Sequence, residues 1–262
     1  MTMRALCGGV LAITALVMSG PTLAQAPKAA SPQPEWLLVT IVAVNPGAAA
    51  DYVAHQTTEV MPAQRKAGMN GRQAWSTGIA GVGGEFVYIA PIKSFAEFDK
   101  PNPMTAALGE PGAAALAAKG ATMAHMTKRL IVRTRPDLSY MPNPTAGPSP
   151  LALISVVDVV PGRRAEFEAF VKKDVLPAMQ QAKAKGYGVL EVVYGDSVGT
   201  YVTSVAYDNY EALGKGHPFQ IALGDEGARK LEARTAGLIT RVERFISRHR
   251  PELSWSPAPG TK

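Results

Sequence analysis

Any chemistry in this chain must come from four histidines and a scatter of carboxylates and hydroxyls. The single cysteine, Cys7, sits in an N-terminal stretch with the layout of a removable signal. Gly216-His217-Pro218-Phe219 is the most reactive-looking string, because an imidazole in a loop can give or take a proton near neutral pH. The competing reading of His217 is a loop residue that caps a backbone group or faces solvent. His55 and Glu59 lie four apart in a predicted helix and share a face, as an acid–base pair or two metal ligands. Two ligands on one helix do not complete a metal site, so no metal is expected, and an exposed helix pair competes with the catalytic reading. Trp75, Tyr88, Glu191, Tyr194, Tyr201 and Thr203 fall on predicted middle strands, with Arg72 nearby. Together they could line an apolar ligand pocket carrying a few polar groups, or they could be ordinary core. His125 falls near the end of a predicted helix and His249 lies between Arg248 and Arg250, so both read as surface or helix-end residues.

The elements that must position these side chains can be read in order. Trp36 to Val44 is almost continuously apolar and closes on Asn45-Pro46-Gly47, which predicts a strand and a turn. Residues 48 to 67 have helical composition, with Pro62 expected to kink or divide the helix. Strands are predicted over 72–77 and 85–90, joined through glycine-rich 78–84. A short helix is expected after Ser94, then helical pieces over 104–108 and 112–126, then a strand over 128–133. The order strand, helix, strand, strand, helix, strand is the ferredoxin-like βαββαβ pattern.

That pattern occurs twice. Arg135-Pro136-Asp137-Leu138-Ser139-Tyr140 returns as Arg250-Pro251-Glu252-Leu253-Ser254-Trp255, an offset of 115 (250 minus 135). The same ungapped offset relates Pro46-Gly47 to Pro161-Gly162, Met61-Pro62 to Leu176-Pro177, Gly84 to Gly199 and Arg129 to Arg244. Turn residues and apolar positions recur, whereas the histidines do not: His55 pairs with Phe170 and His217 with Asn102. The expected organisation is a signal peptide over 1–26, a tether over 27–35, a first repeat over 36–145, a linker over 146–150, a second repeat over 151–257 and a tail over 258–262.

Trp36–Val44 and 151–160 are apolar on both faces, so each sheet needs cover on both sides. The expected fold is α+β: two tandem ferredoxin-like repeats packed sheet-to-sheet as a pseudo-dimeric α+β barrel, with helices outside. Such an arrangement resembles the dimeric α+β barrel superfamily, which includes the antibiotic-biosynthesis-monooxygenase-like and NIPSNAP-like proteins, over residues 36–140 and 151–255. The resemblance implies that each Arg-Pro-acidic-Leu-Ser-aromatic ending is an arm reaching to the other half. The Gly-His-Pro string is similar to loops of the EthD-like and YciI-like groups. Haem-binding relatives exist in the wider superfamily, but the Gly-x-x-Asp-Gly signature of the Dyp type is absent.

A net charge of +6 spread without dense runs argues against nucleic acid as a partner. Gly81-Val82-Gly83-Gly84 lies in a hairpin and is no phosphate loop, and no Gly-x-Ser-x-Gly elbow is present. The expected function is binding of a small apolar or aromatic molecule without a cofactor. The alternatives are a cofactor-independent monooxygenase or isomerase with a histidine proton carrier, a haem-binding barrel, or a structural module. The assembly is expected to be a monomeric pseudo-dimer or a homodimer. Arg4, the apolar run 5–17, Gly20-Pro21 and small Ala24 and Ala26 form a secretory signal, too short to span a bilayer. The expected location is therefore periplasmic or secreted, in a bacterium. N-terminal sequencing of the protein from a periplasmic extract should give a chain starting at Gln25 or Pro27; an intact Met1 there would refute cleavage.

Overall fold

The computed structural model describes residues 33–257. The expected signal peptide, most of the tether and the tail lie outside the described residues. The first half runs β1 (Trp36–Val44), α1 (Ala49–His55), α2 (Met61–Lys66), β2 (Gln73–Thr77), β3 (Glu85–Ile92), α3 (Pro103–Ala121) and β4 (Ala124–Thr134). The second half runs β5 (Leu151–Val159), α4 (Arg164–Phe170), α5 (Leu176–Gln181), β6 (Tyr187–Tyr194), β7 (Thr200–Tyr207), α6 (Tyr210–Gly214), α7 (Pro218–Ala233) and β8 (Ile239–His249). The starts of β1, α1, α2, β3, α3 and β4 precede those of β5, α4, α5, β7, α7 and β8 by 115 residues (151 minus 36).

Proline shapes the first helices without breaking them. Pro62 cannot donate a helical hydrogen bond, and its ring would crowd the carbonyl four residues back. The chain widens into a π turn over Gln56–Val60 just ahead of it and continues as α2. Pro177 has the same arrangement, with a π turn over Val171–Val175. The long helices α3 and α7 are each bent at a glycine of positive φ, Gly109 (φ 73°) and Gly224 (φ 68°). One expectation fails here. The helix predicted to reach residue 126 stops at Ala121, and His125 lies exposed in β4. Pairing of β4 with β1 extends as far as Val44 and Ala124, and those ladder bonds claim the segment.

The strands form one closed antiparallel barrel in the order β1-β3-β2-β8-β5-β7-β6-β4. Each half contributes four adjacent strands. The halves join edge to edge where Trp75–Thr77 pairs with Ser247–His249 and where Ile131–Thr134 pairs with Leu190–Tyr194. Closure removes the unpaired edges that either four-stranded sheet would expose. Val39, Leu130, Val132 and Val192 meet inside the barrel, flanked by Leu37, Ile41, Val87 and Leu190. Each sheet's other face packs under its own helices.

The two helix-side cores are not self-sufficient. Leu138, on the arm that follows β4, is fully buried among Tyr187, Val189, Met179 and other residues of the second half. Leu253, on the arm that follows β8, is fully buried against Tyr52, Ala74, Phe86 and Tyr88 of the first half. Backbone bridges seat both arms: Tyr140 pairs with Tyr187, and Trp255 pairs with Arg72. Each arm thus adds one bridging residue and one leucine to the opposite half. Leu138→Ala and Leu253→Ala should each lower unfolding free energy by about 2–5 kcal/mol in chemical denaturation, whereas Leu223→Ala on the exposed side of α7 should change it by under about 0.5 kcal/mol.

Candidate functional site

In the second half the helix layer stands off the sheet enough to leave a cavity of about 340 Å³. Its floor is the helix-facing side of β5, β6, β7 and β8, with Val157, Tyr187, Val205 and Ile239. Phe167, Phe170, Val171, Val175 and Met179 wall it from α4, α5 and the π turn between them, and Phe219 and Leu231 wall it from α7. The strand register explains a polar band across this floor. Ser155 pairs with Thr203 on one side and Arg244 on the other, so the three side chains form one row, and all three line the cavity.

His217 stands at the rim as the N-cap of α7. Its Nδ1 accepts the Phe219 N–H at 3.3 Å, and Gln220 Oε1 accepts the His217 N–H at 3.1 Å, a reciprocal capping box. The ring packs on Phe219 at 4.5 Å between centroids. The cap also fixes the tautomer. With Nδ1 accepting from the backbone, the neutral ring carries its proton on Nε2. Burial, reinforced by the positive charge of Arg244, lowers its pKa to about 4. His217 is therefore a neutral hydrogen-bond donor at the cavity wall near pH 7. The capping role and the cavity role both hold, because they use different edges of one ring.

The equivalent space in the first half is built differently. Tyr52, His55, Gln56, Gln64 and Arg72 replace Phe167, Phe170, Val171, Met179 and Tyr187 at the 115-residue offset. The buried Arg72 donates to Leu253 O at 3.1 Å and to Gln56 Oε1 at 3.0 Å, and its guanidinium lies 4.3 Å above the Tyr88 ring. The Tyr52 and Tyr88 hydroxyls share a 2.9 Å hydrogen bond, and burial holds both above the usual tyrosine range. Tyr88 is thus a partner of Arg72 in a packed polar cluster. His55 and Glu59 do face one another, at 3.5 Å, and Lys119 donates to Glu59 at 2.5 Å. His55 is buried against α3, where a Cβ on Gly120 would lie 3.5 Å from Nε2, and Glu59 is at the surface.

Of the residues expected to line a pocket, Thr203 does so. Tyr194 is 58% exposed at the end of β6. Trp75 packs on His249 at the seam of β2 and β8, centroids 5.1 Å apart. Glu191 and Tyr201 belong to the clasp of the first arm. Arg135 donates to both carboxylate oxygens of Glu168 (2.6 and 2.7 Å), to Asp137 (2.9 and 3.0 Å) and to Glu191 (3.3 Å). Glu191 also accepts from Arg133 at 2.7 Å and from Arg164, and Tyr201 donates to Glu168 at 2.7 Å. A buried carboxylate needs such donors, and they are spent on the arm. The cavity residues that went unnoticed, Ser155, Phe167, Phe170, Met179 and Arg244, carry one sequence signal. Several are the positions where a polar residue of the first half becomes apolar in the second.

No protein-family model matches the sequence, and no curated protein matches it. Solved structures do. A protein of Fusobacterium nucleatum subsp. nucleatum whose name proposes a monooxygenase superposes with a TM-score of 0.53 at 12% identity, covering 82% of this chain and 92% of its own. An anthrone oxidase-like protein gives 0.54 at 13% identity, covering 82% and 92%. A mutant chlorite dismutase from Candidatus Nitrospira defluvii gives 0.53 at 9% identity, covering 83% and 91%. The chain has the α+β barrel fold of these proteins. At such identities the likeness is one of fold.

The arm clasp predicts a pH dependence. Hydrogen bonds from Arg135, then Tyr201, hold Glu168 down at about 2, and Arg135 and Lys172 hold Asp137 below the usual carboxylate range. Lowered folded pKa values contribute stability above the unfolded value near about 4.3, and that contribution is lost as pH falls toward 2. Arg135→Gln should remove about 1–2 kcal/mol at pH 7, because the ion-pair network is part-screened by solvent, and flatten the fall in denaturation midpoint between pH 4.5 and about 2.

Proposed function

We propose that this is an exported binding protein whose second-half cavity takes a small apolar molecule. The observation that carries the reading is the cavity itself: about 340 Å³, walled by Phe167, Phe170, Met179, Val205 and Phe219, with polar groups in a row across the sheet floor and along α7 at the mouth. Ligand sites are of this size and composition. An engineered apolar cavity of ~150 Å³ binds benzene, so by proportion this one suits a body of about a dozen heavy atoms. We also read the 115-residue recurrence as an internal duplication whose second copy kept an open cavity, while the first was filled by Arg72 and its partners.

The histidine proton-carrier alternative is less well supported. A general base needs a ring nitrogen free to accept a proton. His217 Nδ1 already accepts the Phe219 N–H, and Nε2 carries a proton. The ring suits donation to a ligand oxygen. The same geometry disfavours haem: an axial imidazole presents a bare Nε2 and donates from Nδ1 to a carbonyl or carboxylate, whereas Nδ1 here faces an N–H donor. His55 is enclosed by α3 rather than open to the cavity.

Isothermal titration with decanol, a neutral apolar probe, should show one saturable site. Ala228→Phe, which puts a ring into the cavity from α7, should weaken it at least about tenfold, or about 1.4 kcal/mol. Decanol binding that ignores Ala228→Phe would place the site elsewhere.

A further inference from the structure

The polar groups of the cavity are not evenly distributed in kind. Those on the sheet and at the rim can all donate hydrogen bonds: Ser155 and Thr203 hydroxyls, the Arg244 guanidinium, and the Nε2–H of His217. Asp225, Arg229 and Glu232 also line the mouth, and all three are on α7. There Arg229 lies four residues after Asp225 and three before Glu232, a helical spacing at which its charge offsets part of theirs. Asp225 also accepts from Gln220, the residue that completes the His217 cap, at 3.3 Å. On the sheet side Arg244 stands as a cation beside two hydroxyls in one cross-strand row. It is the charged group whose field reaches the His217 ring. A planar guanidinium and a nearby N–H donor match the two oxygens of a carboxylate.

Resting on the reading of the cavity as a binding site, we propose that it selects a monocarboxylate with an apolar body of about a dozen heavy atoms. The head group lies between Arg244 and the Nε2–H of His217, over Ser155 and Thr203, and the body lies among Phe167, Phe170 and Met179. The first half marks the contrast. It keeps an arginine at the matching place, Arg129, but has Asn102 in place of His217 and Tyr88, under Arg72, in place of Thr203.

The test is a comparison of decanoate with decanol by isothermal titration. Decanoate should bind at least about tenfold more tightly. Arg244→Gln should bring the decanoate-to-decanol preference close to one, and Arg244→Lys should restore part of it. Because Arg244 is exposed, these variants should unfold at the wild-type temperature. His217→Asn keeps a capping side chain, as Asn102 caps Met104 N at 2.9 Å in the first half, and should also reduce the preference. Arg129→Gln should leave it intact. Equal binding of the two probes, or a preference that survives Arg244→Gln, overturns the carboxylate assignment and leaves the cavity reading standing. If neither probe binds, both readings fall.

Discussion

The structure depends on the exchange of two leucines. Leu138 and Leu253 are fully buried, and each lies in the helix-side core of the half it does not belong to. Burial of one leucine contributes about 1.5–3 kcal/mol, a sizeable part of the margin by which a domain is stable. The exchange therefore binds the halves more firmly than the barrel seams alone, where three or four strand residues pair on each side. It also reaches the cavity. Tyr187, which forms part of the floor, is held by its bridge to Tyr140, and Leu138 packs in the same cluster as Met179 and Tyr187. The first half thus helps to shape the cavity of the second.

The two arms are equivalent in sequence and unequal in their fastening. Arg135 meets three carboxylates, from Asp137, Glu168 and Glu191. Its counterpart Arg250 meets Glu252 and the Ser76 hydroxyl, because Val53 and Ser76 stand where the second half has Glu168 and Glu191. The interiors differ in the opposite sense. The first half buries Arg72, Gln56 and the Tyr52–Tyr88 pair, which satisfy one another. In the second half Glu168 and Glu191 serve the arm clasp, and phenylalanine, valine and methionine side chains wall a space over the Ser155–Thr203–Arg244 row.

Much of this fold could be read in the chain. Continuous apolar runs at Trp36–Val44 and Leu151–Val159 required cover on both faces, and the barrel interior and helix layers supply it. The repeated Pro-acidic-Leu string pointed to arms, and the arms do cross. The end of α3 was not legible, since an Ala-rich helix has no local reason to stop before the strand pairing claims it. The site was half legible. His217 and Thr203 meet at the cavity, but Glu191 and Tyr201 look the same in sequence whether they serve a ligand or the arm clasp, where Glu191 accepts from Arg135, 56 residues away, and Tyr201 donates to Glu168. Arg244 was visible as a repeated arginine, and only the strand register places it beside Ser155.

The central claim is that the second half carries a preformed apolar site. The most direct measurement is the anomalous bromine signal from crystals soaked in 10-bromodecanol. The account predicts a bromine peak within the cavity, among Phe167, Met179 and Val205. Bromine found only at the exposed Phe95 and Phe98, with the cavity empty, would contradict it.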